Sequence, residues 1–172
     1  MANKIELSSI GTKVSIAIET VKGEKPVTNY YPIPKVTELP DLDFEPDTIE
    51  TTSYDNLKYK SYLSGLMDTG GILSLASIYT EYGVEMWDDI ADKLSPQKNT
   101  DGLKAWIMVD IKGTSRKWFI PIMPTQTGLP SAPVNDVVTI NYNFTVVGDI
   151  ELDNIADAAI NSYYAAKDYA AA

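Results

Sequence analysis

The sequence predicts a mainly β fold, all-β to α+β, arranged as an antiparallel β-sandwich with a flanking α-helix. Apolar residues recur at every second position in roughly six segments, the period of half-buried strands, and one internal segment changes to the helical period. A chain of 172 residues is long enough to bury one well-packed core. We therefore expect residues 1–172 to form a single domain.

The first strand is predicted over residues 12–20, where Val14, Ile16 and Ile18 alternate with polar residues that would face solvent, such as Lys13, Ser15 and Glu19. Prolines punctuate residues 21–46, so irregular extended chain or an edge strand is expected there. Short strands follow over residues 46–52 and 71–80, because each shows a polar or alternating strand pattern.

The helical period is confined to residues 84–94, which Ser95-Pro96 terminates. Its apolar face is expected to consist of Val84, Trp87, Ala91 and Leu94.

The second half of the chain predicts a hairpin of residues 103–111 and 116–123 and then a long strand over residues 136–148. Both faces of the first hairpin strand carry apolar side chains, so both should be covered. The alanine-rich residues 150–172 are expected to form a separate C-terminal helix or tail.

The chain has no cysteine and no histidine, which removes thiol nucleophiles, histidine bases and nearly every zinc site. Neither a cofactor nor a metal is expected, and no enzyme class fits well. No apolar run approaches the roughly 20 residues of a membrane helix, and the N-terminus lacks a hydrophobic signal core. We expect a soluble protein made in the cytoplasm, without a membrane partner.

Charge is unevenly placed in this chain of net charge −10, since residues 38–55 hold seven acidic residues and no basic one. Tight binding to DNA phosphates needs several Lys or Arg contacts. The chain is therefore not expected to bind DNA through its phosphates, although it could face DNA in order to repel it.

Three sequence features suggest chemical alternatives. Asp68-Thr69-Gly70 is the tripeptide of aspartic proteases, which would require a homodimer here, but the preceding residues show no β pattern and the tripeptide also suits a turn. Asp41, Asp43 and Glu45 could hold calcium, but a solvated acidic loop fits better. Trp106 and Trp118 could form an aromatic platform in a carbohydrate- or protein-binding module, but paired core aromatics are commoner.

Residues 53–71 are rich in tyrosine and show neither a strand nor a helix period. A long tyrosine-rich connection cannot be hidden in a small sandwich, and tyrosine is enriched in interfaces. The segment therefore predicts a subunit contact, with a loop folded back over its own domain as the alternative, and Asp55 and Asp68 are expected to be turn and capping residues. The expected contact residues are Tyr54, Leu57, Tyr59, Tyr62 and Leu66.

The order of short motifs in residues 34–75 resembles that of the tail tube (major tail) proteins of long, non-contractile phage tails. These commonly have an acidic segment ending in Thr-Thr, an aspartate, a loop, and then Tyr-x-x-Gly-Leu-x-Asp-x-Gly before a strand. The matching positions are Pro34, Leu39-Pro40-Asp41-Leu42, Glu45-Pro46-Asp47-Thr48-Ile49-Glu50-Thr51-Thr52, Asp55, Tyr62, Gly65-Leu66, Asp68, Gly70-Gly71 and Leu73.

The resemblance implies a tail-tube-like sandwich that forms hexameric rings, which stack into a virion tail tube that conducts the genome. It also implies that the long loop reaches a neighbouring subunit. Partners would be the chain itself and the tape measure, tail terminator and distal tail proteins, with DNA passing through without specific binding. An acidic lumen would repel DNA, and charge alone suggests Asp47, Glu50 and Glu81 as lumen residues.

Overall fold

The computed structural model describes residues 11–42, 46–51, 60, 62–67 and 71–153. Ten β-strands and one α-helix lie in these ranges. The elements are β1 (Lys13–Ile18), β2 (Tyr31–Pro32), β3 (Val36–Glu38), β4 (Pro46–Glu50), β5 (Tyr62–Met67), β6 (Ile72–Ile78), α1 (Glu81–Lys93), β7 (Ala105–Asp110), β8 (Lys117–Pro124), β9 (Thr139–Val146) and β10 (Glu151–Asp153).

Eight strands form one sheet in the order β2-β1-β7-β8-β9-β6-β3, with β10 also pairing with β8. Every pairing in it is antiparallel. The predicted mainly β, antiparallel fold with a flanking helix is confirmed. The edge strand expected in residues 21–46 is also confirmed, because β2 and β3 lie at the two ends of the sheet.

The sheet curls around its main core. In a flat sheet β6 and β7 would lie roughly 14 Å apart, since three strand spacings separate them. Nevertheless Leu75 of β6 and Val109 of β7 line the same cavity and belong to one buried cluster. The layers of the predicted sandwich are therefore joined through one continuous sheet, with α1 packed on its concave face.

Helix α1 begins at Glu81, three residues earlier than predicted, because Thr80 caps it. Thr80 has extended backbone, and its Oγ1 accepts a hydrogen bond from the Gly83 amide at 3.3 Å. Trp87, Ala91 and Leu94 are buried as predicted, whereas Val84 is only half-buried. This apolar face attaches the helix to the sheet.

The convex face of the sheet is also covered, which corrects the prediction that Ser15 and Glu19 face solvent. Residues 19–30 fold over this face, where Tyr30 packs edge-on against Phe119 at 6.1 Å between ring centroids. The Glu19 carboxylate is buried and accepts hydrogen bonds from Trp106 Nε1 at 2.8 Å and from two backbone amides. Its negative charge is thereby solvated inside the protein.

Tyr142 is held in the main core by the shape of its surroundings. Within the described residues its buried hydroxyl has no hydrogen-bond partner. A Cβ on Gly83 of α1 would lie 2.5 Å from that hydroxyl, so glycine allows the helix to approach β9 closely. Burial raises the pKa of Tyr142 to about 12.

Tyr142→Phe is expected to leave the free energy of unfolding at pH 7 unchanged or raise it by about 1 kcal/mol, since an unpaired buried hydroxyl is removed. Because the pKa of Tyr142 is raised in the folded state, the contribution of this tyrosine to the free energy of unfolding is fully present below pH 10. That contribution is lost as the pH rises towards 12. Denaturant titrations at pH 7 to 11.5 should therefore show a flatter alkaline decline for the variant.

Tyr30→Phe is the matched control, because the Tyr30 hydroxyl donates to the buried Pro26 carbonyl at 2.9 Å. Its loss should lower stability by about 1 kcal/mol at pH 7. If both variants lost the same stability, the hydroxyl of Tyr142 would have a partner in solution.

Candidate assembly surface

The hairpin of β4 and β5 forms a sheet of its own, separate from the eight-stranded sheet. The strands pair from Pro46 opposite Met67 to Glu50 opposite Tyr62, and the register shifts between Pro46 and Thr48. The predicted strand at residues 46–52 is confirmed, but β5 corrects the prediction that no β-strand precedes Asp68. The sequence did not predict β5, because Gly65 and the mixed apolar residues around it break the alternation of apolar and polar residues that is typical of a strand.

Side chains on both faces of β4 are exposed. Thr48 and Glu50 point to one face and Ile49, which is 54% exposed, points to the other. A two-stranded hairpin is at best marginally stable in water without a surface to pack on. This hairpin therefore has the character of an element that is completed by a partner.

Five of the predicted contact and turn residues lie outside the described residues: Tyr54, Asp55, Leu57, Tyr59 and Asp68. Tyr62 and Leu66 lie in β5, which places their backbone in the hairpin but leaves the positions of their side chains a prediction.

The three predicted lumen residues lie on two elements. Asp47 and Glu50 belong to β4, and Glu81 is the exposed first residue of α1. Lys60 Nζ lies 3.3 Å from the Glu50 carboxylate. This exposed ion pair neutralises part of the acidic charge of the hairpin. The structure thus places Asp47 and Glu50 on one strand, while Glu81 lies on the helix.

A second exposed apolar segment, missed by the sequence interpretation, is the loop of residues 125–138 between β8 and β9. Leu129 is 97% exposed and Val134 is 90% exposed. Periodicity could not reveal them because the loop has none, but two large aliphatic residues in a Pro- and Gly-rich connection were a usable signal. Such residues on a surface mark an interaction site when they occur together.

The base of this loop is firmly attached to the domain. Trp87 Nε1 donates to the Thr125 carbonyl at 2.8 Å, and Asp88 accepts from both the amide and the hydroxyl of Thr127 at 2.7 and 2.8 Å. Ser131 and Thr139 exchange two backbone hydrogen bonds of 2.9 Å. The exposed apolar residues are thus presented from an ordered base.

An apolar cavity of about 290 Å³ opens near the turn between β7 and β8. Ile111 and Trp118 flank it on either side of the turn, and the segment after β3 forms another wall of the cavity. Leu39, Pro40 and Leu42 come from that segment, and the remaining lining comes from the sheet and the chain before β10.

Strand β10 is fastened beside this cavity by Lys25, which lies 2.8 Å from carboxylate oxygens of both Glu151 and Asp153. Burial by itself lowers the pKa of Lys25, but its hydrogen bonds and charge interactions with the two carboxylates outweigh that effect and raise it. The expected helix or tail of residues 150–172 is corrected at its start, where β10 is a strand. Residues 154–172 lie outside the described ranges.

Trp106 and Trp118, the residues that could have formed a carbohydrate platform, lie on opposite faces of the sheet. Trp118 pairs with Val109 and packs on the main core, whereas Trp106 belongs to the cluster on the convex face. They cannot stack on one sugar, so this arrangement excludes the platform.

Among the described residues, which include only Asp41 of the three carboxylates considered for calcium, no group of three or more acidic side chains could hold a metal ion. Asp43 and Glu45 lie outside those residues. No described helix is both long and apolar enough to cross a membrane.

No protein-family model matches the sequence, and neither does any curated protein. The fold is similar to a chain in the cryo-EM structure of the anti-feeding prophage (AFP) baseplate, 6-fold symmetrised, with a TM-score of 0.58 and 12% identity over 84% of this chain and 93% of that chain. This likeness shows a shared fold.

Two further similar chains come from gene transfer agent (GTA) particles. One, from the virion of the native particle, has a TM-score of 0.49 and 15% identity over 72% of this chain and 88% of that chain. The other, from the tail of the empty particle with C6 symmetry, has a TM-score of 0.49 and 16% identity over 72% and 86%.

Proposed function

We propose that this chain is a structural protein of a phage virion that self-assembles into hexameric rings, which stack into the tube of a long, non-contractile tail. The protein performs no catalysis. Its work is to form a closed, negatively lined conduit through which the genome is delivered without specific binding.

The observation that carries the proposal is the exposed strand β4 of the β4–β5 hairpin. Thr48, Ile49 and Glu50 expose both faces of β4, and a hairpin of this kind needs a further surface to be stable. A neighbouring copy supplies that surface. The hairpin also flanks the tyrosine-rich residues 53–61, which the sequence marks as a contact.

The edge of β6 adds support for lateral association. Strand β3 pairs only with Ala76 and Ser77 of β6, so the remainder of that edge, from Ile72 to Leu75, has no described strand beside it. Exposed edges pair readily with further strands. A ring covers every such edge, because each subunit's edge meets the next subunit.

Two observations support a six-fold assembly. The AFP baseplate, which contains a chain of similar fold, is 6-fold symmetrised, and the motif order of residues 34–75 resembles tail tube proteins. Net charge is −10, which suits a conduit that repels DNA phosphates. Asp47, Glu50 and Glu81 are proposed to face the lumen, and tape measure, tail terminator and distal tail proteins to bind the tube.

Sedimentation velocity of the purified chain at rising concentration, combined with negative-stain electron microscopy, tests the proposal. We expect hexameric rings and, at higher concentration, tubes. A species that stays monomeric or dimeric at every concentration would overturn it.

The double substitution Tyr59→Ala and Tyr62→Ala is expected to leave a folded monomer that no longer forms tubes, because aromatic anchors commonly dominate interface energies. Circular dichroism checks folding, and microscopy checks assembly. Tyr79→Ala removes an exposed tyrosine just after β6 and serves as the control. Tubes of normal length from the double variant would remove the tyrosines from the interface.

A further inference from the structure

The apolar cavity beside the β7–β8 turn is open in the part of the chain that the structure describes. Every residue that lines it is apolar, and it encloses about 290 Å³. The apolar surface continues beside it, because Leu152, which pairs with Trp118 of the lining, is 46% exposed. An apolar cavity of about 150 Å³ can hold a benzene molecule. The cavity therefore has room for two aliphatic side chains.

The first described residue, Gly11, lies at the edge of this cavity. A Cβ on Gly11 would come within 2.9 Å of Lys112 Cδ, and Lys112 directly follows Ile111 of the cavity lining. Gly11 also has a φ of 91°, a backbone conformation that favours glycine and turns the chain away from the line of β1. The segment of residues 1–10 is thus joined to the domain beside the cavity.

Residues 1–10 carry aliphatic side chains at a suitable spacing. Ile5 and Leu7 alternate with Lys4 and Glu6, which is the period of an extended chain with one apolar side. Four residue steps of extended chain cover up to about 14 Å. Leu7 is therefore close enough to Gly11 to reach across the cavity mouth.

The other end of the described chain is held on the opposite face of the sheet. Lys25 Nζ lies 2.8 Å from the carboxylate of Asp153, the last described residue. The same ammonium lies 4.7 Å from the centroid of the Phe119 ring, which belongs to the cluster on the convex face. The cavity is on the concave face, so Gly11 is better placed than Asp153 to deliver a segment to it.

Charge around the cavity is mixed. Exposed Glu38, Asp41 and Asp149 lie within two positions of lining residues in the sequence, and so do exposed Lys112 and Arg116. Residues 1–10 contain one basic and one acidic residue. Neither sign is therefore selected, and recognition of the segment depends on the match between apolar side chains and an apolar cavity.

We propose that residues 1–10 close the cavity of their own chain, with Ile5 and Leu7 seated among its aliphatic and aromatic lining. A segment tethered at Gly11 reaches the cavity at a much higher effective concentration than a separate molecule does. The closure removes an exposed apolar surface from each subunit. It concerns a single chain, so it goes beyond the proposed function and does not depend on ring assembly.

A disulfide test identifies the occupant. The chain has no cysteine, so Leu7→Cys with Leu39→Cys introduces one pair, with Leu39 in the cavity lining. In dilute solution the oxidised variant should run as a monomer on a non-reducing gel, with its two cysteine peptides joined in mass spectrometry. The control, Leu7→Cys with Val27→Cys, places the second thiol on an exposed residue of the loop over the convex face and should form no such link. Dimers alone, or no disulfide, from the cavity pair would overturn the inference.

Binding of the apolar dye ANS measures the closure without cysteines. Ile5→Asp with Leu7→Asp should raise dye fluorescence several-fold, because the cavity is uncovered, while far-ultraviolet circular dichroism stays that of the folded chain. The matched control, Ser8→Asp with Ser9→Asp, adds the same charges to the same segment and should leave dye binding unchanged. Equal dye binding by the two variants would overturn the closure.

Two further variants compare other segments that adjoin the cavity in sequence. Phe44 follows the lining residue Leu42 by two positions, and Ile155 follows the end of β10 by two. Phe44→Asp and Ile155→Asp should each bind as little dye as the wild-type chain. A rise in dye binding from either of them, with none from Ile5→Asp and Leu7→Asp, would assign the cavity to that segment and overturn the inference.

Discussion

Trp87→Ala is expected to lower the free energy of unfolding by about 3–5 kcal/mol, because a large buried side chain is replaced by a cavity. Trp87 is fully buried, with its ring 4.9 Å from that of Tyr142 and 6.3 Å from that of Phe144. Its Nε1 also donates to the Thr125 carbonyl. Since domains are commonly stable by about 5–15 kcal/mol, the change is a large fraction of the total.

Urea denaturation followed by far-ultraviolet circular dichroism measures this loss. Trp87→Phe is the informative companion, since it keeps an aromatic ring in the core and removes the indole hydrogen bond. It should fall between the wild-type chain and Trp87→Ala. A loss below about 1 kcal/mol for Trp87→Ala would show that α1 is not packed on the sheet as described.

Ile49→Asp is expected to abolish ring formation and to leave the folded monomer intact. Ile49 is 54% exposed on β4, so a carboxylate there costs the monomer little. In an assembled interface the same carboxylate is buried without a partner, which costs several kcal/mol. A loss of about 3 kcal/mol for each contact raises the assembly concentration roughly 100-fold.

Sedimentation velocity of this variant against Val27→Asp provides the comparison, because Val27 is 69% exposed and receives the same charge. Rings from Val27→Asp but not from Ile49→Asp place the hairpin in the interface. Equal ring formation by both variants would leave the exposed hairpin unexplained and remove the main support for a self-assembling function.

The sequence predicted the parts of the fold in which side-chain period and burial agree. Both faces of β7 were expected to be covered, and Ile107 packs in the main core while Met108 packs on the convex face. The long strand β9 was evident for the same reason, since Ile140, Tyr142 and Phe144 alternate with polar residues. A strong period in one segment needs no knowledge of the rest of the chain.

The sequence failed where distant segments decide the environment. The polar side of β1 was assigned to solvent, but Ser15 and Glu19 are buried because the following loop folds back over them. Strand β5 was missed because its partner β4, and not its own pattern, makes it a strand. For the candidate surface, the hairpin strand β4 was predicted, whereas the apolar loop after β8 was missed because it has no period, and the exposure of Leu129 reveals it.

The attachment of that loop has a mechanical consequence for any partner that binds it. Tension applied to the loop would pass to Thr125 and Thr127, which bind neighbouring residues of α1, Trp87 and Asp88. These hydrogen bonds lie side by side between the loop and the helix, so they share the load and do not break one after another. Trp87 then transmits the load to the aromatic rings of β9, which makes one buried indole the coupling between a pull on the loop and the strength of the sheet.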